Sequence, residues 1–381
     1  MLDTLVEILD VTGFPQASWQ GIVMVAIGLL LIYLAVSKEM EPLLLGPIGF
    51  AVILANLPGQ QHYLLAEEGF GAIGAFLNVT YEYAISTGLI PLLIFLGIGT
   101  MTDFSPLLAN PKAFLLGAAA QIGIFLALGL AFMTGFELHE AGAIGIIGGA
   151  DGPTAIYAAG ALEVEPGVFA AITVAAYSYM ALVPIIQPPI IKFLTTEEQR
   201  KIRMGKMREV SQLEQIAFPI VVTVIVGFIL PSALPLVGML MLGNLFQTSG
   251  VMDRLSNTGG EALMDIATIL LGLGVGYLMI GEQFLTIDTL SIFLLGVFAF
   301  ATATAGGTLL GLLYYKLSGG EVNPMVGAAG VSAVPMAARV VQDMGQKEDA
   351  GSHLLMHAMG PNVAGVIGSA TAAGILIGLL G

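Results

Sequence analysis

Long stretches without Asp, Glu, Lys or Arg restrict the fold of this chain more than any other feature. Val11–Ser37, Pro42–Ala66, Ala113–Phe136 and Gln215–Met252 are four of them. Each is long enough for a helix of about 20 apolar residues to cross a bilayer. Only 10% of the 381 residues are charged, against about 25% in soluble domains, so the chain lacks the polar surface that water requires. The sequence therefore predicts an all-α, polytopic membrane protein.

The composition also excludes several functions. The chain has no cysteine, which rules out disulfides, iron–sulfur clusters and thiol catalysis. His353 and His357 are four residues apart, but two histidines are a weak metal signal and we assign them no role. The net charge of −15 argues against a nucleic-acid partner, because nucleic acids are bound by basic surfaces.

The apolar stretches predict roughly ten transmembrane helices at about 20 residues each. Two further stretches, 139–162 and 320–340, combine glycine, proline and charge, and these predict interrupted helices. Pro231 and Pro235 predict a break inside one long apolar stretch, and Pro361 marks a candidate break in the last one.

A basic linker at 192–214 orients the chain. It contains six of the twelve Lys and Arg residues, namely Lys192, Arg200, Lys201, Arg203, Lys206 and Arg208. The positive-inside rule places this linker in the cytoplasm of a protein in the inner cell membrane. Two interpretations stay open: a solvated loop that only sets the topology, or a docking surface for a soluble partner.

The chain also contains an internal repeat. Phe114–Gly117 recurs as Phe293–Gly296, and at the same offset Gly148–Ala150 aligns with Gly327–Ala329. The interrupted elements occupy corresponding places in the two halves, which is typical of inverted repeats around a mid-membrane binding site. The predicted units are N-terminal helices (1–82), repeat 1 (83–191), the linker (192–214), connecting helices (215–259) and repeat 2 (260–381).

The first interrupted element reads Gly148-Gly-Ala-Asp-Gly-Pro-Thr154. An ionised carboxylate at membrane depth requires a partner or a function. Asp151, the hydroxyl of Thr154 and carbonyl groups of the unwound chain are oxygen ligands suited to Na⁺. The alternative is that Asp151 only caps a helix in a water-exposed loop.

The second interrupted element contains Asn323 and Ser332, which are uncharged oxygen donors for the same cation. Arg339 follows them and is a candidate partner of Asp151 when the cation is absent. The alternative for Arg339 is a side chain that extends to the lipid headgroups. Tyr177 lies in the helix after the first element and is a candidate proton donor.

These motifs resemble the beta subunit of the sodium-pumping decarboxylases of oxaloacetate, methylmalonyl-CoA, glutaconyl-CoA and malonate. The resemblance rests on Gly148–Tyr157 with Val174–Pro189, and on Asn323–Arg339 with His357–Gly365. It covers most of the chain from about residue 40 onward.

The resemblance implies functional roles at the family's matching positions, which are Asp151, Tyr177, Asn323, Gly327, Ser332 and Arg339. Asp151, Tyr177 and Arg339 are expected in catalysis. The expected Na⁺ ligands are Asp151, Thr154, Asn323, Gly327 and Ser332. Whether Asp151 or Tyr177 donates the proton stays open.

The resemblance also implies a fold and a mechanism. The fold is an elevator-like arrangement of scaffold and moving core domains. Carboxybiotin on a partner's carrier domain is decarboxylated, a proton is consumed and Na⁺ moves outward, while this chain itself carries no biotin. The implied partners are a biotin carrier domain, a carboxyltransferase alpha subunit, a small single-span gamma- or delta-type subunit, the lipid bilayer and further copies of the chain in a trimer.

A sodium-coupled secondary carboxylate transporter is the main alternative, because inverted repeats and broken helices are shared by that class. An acidic first element favours a cation over a carboxylate substrate. A purely structural anchor would have no reason to bury Asp151 and Arg339.

Overall fold

The computed structural model describes residues 17–39, 41–58 and 73–381, so parts of the predicted N-terminal unit lie outside the described residues. The described chain contains helices and no strands, which confirms the all-α prediction. The α-helices are α1 Trp19–Ser37, α2 Pro42–Asn56, α3 Ile73–Val79, α4 Leu89–Met101, α5 Ser105–Ala109, α6 Ala113–Ala120, α7 Ile122–Met133, α8 Leu138–Ile146, α9 Gly152–Ala161, α10 Pro166–Leu194, α11 Glu197–Arg200, α12 Gln212–Ile229, α13 Leu234–Thr248, α14 Asp253–Thr258, α15 Met264–Leu278, α16 Gly281–Phe284, α17 Ile287–Leu317, α18 Met336–Glu348 and α19 Leu355–Leu380. Thr80–Ile85 and Gly259–Leu263 are π-helical, and Ile147–Gly149, Pro231–Ala233 and Pro324–Gly330 are 3₁₀-helical.

Six helical segments of the described chain are long and apolar enough to cross a membrane. The number becomes eight when each of two bent helix pairs counts as one span, so the expected ten remains a prediction. The predicted break at Pro231 is present, because α12 ends at Ile229 and a 3₁₀ turn follows. No break occurs at Pro361, which lies inside the continuous helix α19.

Both predicted interrupted elements are interrupted helices. In the first, α8 ends at Ile146, a 3₁₀ turn follows, Ala150 adopts a left-handed conformation and α9 starts after Asp151. Pro153 in the first turn of α9 has no N–H, which costs nothing where a helix begins. In the second, the 3₁₀ helix Pro324–Gly330 leads through an extended loop into α18.

Glycines let the helices approach each other closely, as expected for packing in lipid. A Cβ added to Gly307 of α17 would lie 2.2 Å from the carbonyl oxygen of Gly327 in the second element. A Cβ on Gly327 would lie 2.1 Å from the carbonyl oxygen of Gly307. Each glycine therefore allows the backbone of the other to approach closely, and this contact packs the second element against α17.

This contact predicts that Gly307→Ala destabilises the protein. The new methyl group would overlap a backbone carbonyl, and overpacking of this kind costs about 1–3 kcal/mol. Alanine otherwise favours a helix, so any loss reports the contact. We expect a lower midpoint of thermal unfolding for the purified protein in detergent.

Gly129→Ala is the matched control, because Gly129 is also helical and has no atom within 4 Å of an added Cβ. Its unfolding midpoint should stay unchanged or rise slightly. Equal midpoints for the two variants would show that the Gly307–Gly327 contact is absent.

Candidate functional site

The two interrupted elements meet through their backbones. The amide of Ser332 donates a hydrogen bond of 2.8 Å to the carbonyl oxygen of Gly149. Gly149 ends the 3₁₀ turn of the first element, and Ser332 lies in the loop after the second. The structure thus brings together two segments that lie far apart in the sequence and that the sequence analysis assigned to separate repeats.

Asp151 lies at this junction and is only 5% exposed. It caps α9, because its Oδ1 accepts a hydrogen bond of 3.2 Å from the amide of Thr154. The interpretation as a helix cap is therefore correct as far as it goes, but the cap is buried and does not lie in a water-exposed loop. No salt bridge of the described chain involves Asp151.

Ser369 is the functional candidate that the sequence analysis missed. Its hydroxyl donates a hydrogen bond of 2.6 Å to Oδ2 of Asp151 and lies 3.0 Å from the hydroxyl of Ser332. Ser369 is completely buried on α19. The carboxylate of Asp151 and the hydroxyls of Ser369 and Ser332 therefore form one chain of oxygen atoms across both repeats.

Two buried side-chain oxygen atoms in the segments that meet here have no partner within hydrogen-bond geometry. The hydroxyl of Thr154 is one of them, although its residue is completely buried. A second is Oδ1 of Asn362, whose amide nitrogen donates 2.6 Å to the carbonyl oxygen of Val331. Buried oxygen atoms without partners are costly, and hydroxyl and amide oxygens are the kinds of ligand that a hard cation binds beside a carboxylate.

Tyr177 of α10 packs against the start of α9. A Cβ added to Gly152 would lie 2.5 Å from Cζ of Tyr177, so the end of the phenol ring lies directly on the residue that follows Asp151. Tyr179 has a separate role, because its hydroxyl donates to the carbonyl oxygen of Phe293 in α17. Tyr177 is thus the tyrosine of this pair that adjoins the first element.

Asn323 is not placed in the Asp151 cluster. The 3₁₀ helix of seven residues lies between Asn323 and the loop that holds Ser332. At about 2 Å per residue, this helix is roughly 14 Å long. Asn323 donates a hydrogen bond of 2.9 Å from its Nδ2 to the carbonyl oxygen of Arg200 and another of 2.9 Å to that of Ile202, both in the basic linker. Its Oδ1 accepts from the amide of Met325. In this structure the amide joins the second element to the linker.

The sequence analysis named Arg339 as a candidate partner of Asp151, but the two side chains are not paired in the structure. Arg339 is exposed on α18, whose buried face consists of apolar residues and Gly345. None of the salt bridges in the described chain involves Arg339. Its guanidinium is therefore available to an anion from outside the protein.

The basic linker is attached to repeat 2 by charged pairs as well. Arg200 Nε lies 2.7 Å from a carboxylate oxygen of Glu348, and Arg203 binds both carboxylate oxygens of Asp349 at 2.6 and 2.7 Å. The Arg203 pair lowers the pKa of Asp349 to about 2 from its usual 3.8. A lowered pKa means that the pair is intact above pH 3.8 and is lost only as the pH falls through about 2.

Known proteins are similar in sequence to this chain over almost its whole length. The family profile described as the Na⁺-transporting oxaloacetate decarboxylase beta subunit matches residues 20–380. The glutaconyl-CoA decarboxylase subunit beta of Acidaminococcus fermentans is 53% identical over 99% of this chain and 98% of its own length. The methylmalonyl-CoA decarboxylase subunit beta of Veillonella parvula is 54% identical, over 98% and 97%. The oxaloacetate decarboxylase beta chain of Klebsiella pneumoniae is 47% identical, over 99% of both chains.

The placement of Asn323 predicts that Asn323→Ala loosens the linker. Two hydrogen bonds to linker carbonyls are lost, at about 1 kcal/mol each. We expect limited trypsin digestion of the purified protein to cut within 200–208 about thirtyfold faster, since cleavage tracks the open population.

Asp349→Asn is the comparison variant. It removes the charge of an exposed ion pair, and such pairs contribute little, so the trypsin rate should rise by less than about threefold. A rate for Asn323→Ala that equals the wild-type rate would contradict the attachment of the linker to Asn323.

Proposed function

This chain belongs to the beta-subunit family of the Na⁺-transporting decarboxylases, and we propose on this basis that it decarboxylates carboxybiotin and uses the reaction to move Na⁺ outward. It is a multi-pass membrane protein and one component of a multi-subunit decarboxylase. Carboxybiotin would arrive on a biotin carrier domain, and the carboxyltransferase alpha subunit would be a further partner of this chain.

The observation that supports this proposal is the buried carboxylate of Asp151 without a cationic partner in the described chain. An uncompensated charge in a membrane interior is costly, so the ionised carboxylate requires a counter-ion. Na⁺ can serve as that counter-ion, with Thr154, Ser332 and Ser369 as neutral oxygen ligands. The same carboxylate binds a proton when the cation has left, so Na⁺ and H⁺ are alternative occupants of one group.

The chemical step breaks the bond between the ureido nitrogen of biotin and the carboxylate carbon. CO₂ leaves, and the electron pair left on nitrogen takes up a proton. The exposed guanidinium of Arg339 is a suitable group to bind the carboxylate of carboxybiotin. Tyr177, which adjoins the residue after Asp151, and Asp151 itself remain the two candidate proton donors.

Two of the expected site roles change within this proposal because of the contacts that Asn323 and Gly327 make. Asn323 would position the linker that faces the cytoplasm, and Gly327 would seat the second element on α17. The core-and-scaffold movement, the trimer, the gamma- or delta-type subunit and the inner-membrane location belong to the same proposal. Each charge moved against the membrane potential costs about 2.3 kcal/mol per 100 mV, so the chemistry must be coupled to access.

The direct test uses the purified complex in liposomes with free carboxybiotin, as wild type and as Asp151→Asn. We expect wild type to release CO₂ and accumulate radioactive sodium. Asp151→Asn should lower both rates about a hundredfold or more, since a buried charge interaction is worth about 3–5 kcal/mol.

Asp288→Asn is the matched control, because Asp288 is exposed at the start of α17, and both rates should stay at the wild-type level. Normal rates in Asp151→Asn would contradict the proposal. Sodium uptake by wild type that requires an added carboxylate and ignores carboxybiotin would favour a secondary transporter.

Ser369→Ala gives a graded prediction. Loss of the hydroxyl beside Asp151 removes one neutral ligand and one hydrogen bond to a charged group, which is worth about 1.5–3 kcal/mol. The Na⁺ concentration for half-maximal decarboxylation should rise about tenfold or more.

Ser232→Ala is the control for this variant, because the hydroxyl of Ser232 bonds to α19 at the carbonyl oxygen of Gly374. Its half-saturating Na⁺ concentration should match wild type. An unchanged Na⁺ dependence in Ser369→Ala would remove Ser369 from the cation site.

A further inference from the structure

Gln121 lies where α6 ends and α7 begins, and its side chain is buried against α19. Its Nε2 donates a hydrogen bond of 3.0 Å to the carbonyl oxygen of Gly117, one turn earlier, and is 3.4 Å from that of Gly365. These two contacts fix the plane of the amide. They also fix which end is oxygen, because the opposite assignment would turn the oxygen toward two carbonyl oxygens.

The amide oxygen of Gln121 has no hydrogen-bond partner and is buried. Its position is defined by Gly149, at the end of the first element. A Cβ added to Gly149 would lie 3.5 Å from Oε1 of Gln121 and 3.1 Å from Cβ of Ser369. Ser369 in turn bonds to Asp151. The free carbonyl of Gln121 therefore lies beside Gly149, two residues before Asp151, where Ser369 also packs.

We propose that Oε1 of Gln121 is a further ligand of the cation that binds at Asp151, an assignment that rests on the proposed function. A buried acceptor without a partner is costly, and this cost is offset if a cation completes its coordination. A neutral carbonyl adds affinity for Na⁺ without a second negative charge. The carboxylate comes from one interrupted helix, and Gln121 adds a ligand from the break between α6 and α7.

The neutrality of Gln121 also bears on selectivity. A second carboxylate would favour divalent ions, which bind to several charged oxygens. One carboxylate with neutral hydroxyl and amide oxygens matches the single charge of Na⁺. The geometry thus makes Gln121 a ligand that tunes affinity while leaving the net charge of the occupied site near zero.

The test is Na⁺-dependent thermal stabilisation of the purified complex, titrated with NaCl at constant ionic strength set by KCl. A ligand that binds the native state raises the unfolding midpoint according to its concentration and affinity, so this readout does not depend on turnover. The variants are Gln121→Met, which keeps the length of the side chain and removes the carbonyl, and Asp151→Asn.

Gln121→Met should raise the half-saturating Na⁺ concentration about tenfold to a hundredfold, the range for one interaction with a charged group. Asn244→Leu is the matched control, because Asn244 is also buried, donates its amide to a backbone carbonyl at Thr102 and has a free Oδ1, but lies between α13 and α4. Asn244→Leu should leave the half-saturating Na⁺ concentration unchanged.

The outcomes separate this inference from the proposed function. If wild type responds to Na⁺, Asp151→Asn does not respond and Gln121→Met responds like wild type, Gln121 is no ligand although the function stands. If wild type shows no stabilisation by Na⁺ over K⁺, both ideas fail. If Gln121→Met does not fold, Gln121→Asn replaces it in the test. Asparagine keeps the side-chain amide, but its carbonyl lies one methylene further from the proposed cation site. An unchanged Na⁺ midpoint in that variant would equally overturn the inference.

Discussion

The hydrogen bond between the amide of Ser332 and the carbonyl of Gly149 holds together the part of the protein on which the site depends. An interrupted helix leaves backbone groups without partners, and lipid cannot satisfy them. Here the two interruptions partly satisfy each other, and Asn362 of α19 donates to the carbonyl oxygen of Val331 in the same loop. The unwound backbone is thereby confined to one buried place, where Asp151 and its neutral oxygen neighbours converge.

The sequence was sufficient to predict the class of fold and the two helix interruptions. Glycine, proline and an acid in one short stretch cannot form a regular helix, so the interruption and the placement of Asp151 followed from local chemistry. Ser332 was found for the same reason. Thr154 needed only its position three residues after Asp151, in the first turn of a helix that the acid caps.

Ser369 and Gln121 could not be identified from the residues next to them in the sequence. Ser369 lies in a helix of small apolar residues, and serine in such helices normally bonds to its own backbone. The hydroxyl of Ser369 does lie 3.0 Å from the carbonyl oxygen of Val366 in its own helix, and only the packing of α19 against both interruptions also brings it to Asp151, 218 residues away in sequence. The one available signal was Asn362, seven residues before Ser369 and therefore on nearly the same helix face. Gln121 lies outside both interrupted elements, so no motif pointed to it.

The functional roles of Asn323 and of the linker also could not be predicted from the sequence, because they depend on contacts between distant segments. Asn323 stands beside a proline at the start of an interrupted element, as a cation ligand would, yet its amide nitrogen binds the carbonyl groups of Arg200 and Ile202. The linker was expected to be a loop that sets topology or a docking surface. Its attachment through Asn323, Glu348 and Asp349 makes it part of the structure around repeat 2.

The central claim is that a monovalent cation occupies the cluster around Asp151. The most direct measurement is a pair of high-resolution cryo-EM maps of the complex, one in Na⁺ and one in a Na⁺-free choline buffer. We expect density bounded by Asp151, Thr154 and Ser369 in the Na⁺ map and no such density in the Na⁺-free map. Na⁺-dependent density at a different place, with none beside Asp151, would contradict this claim.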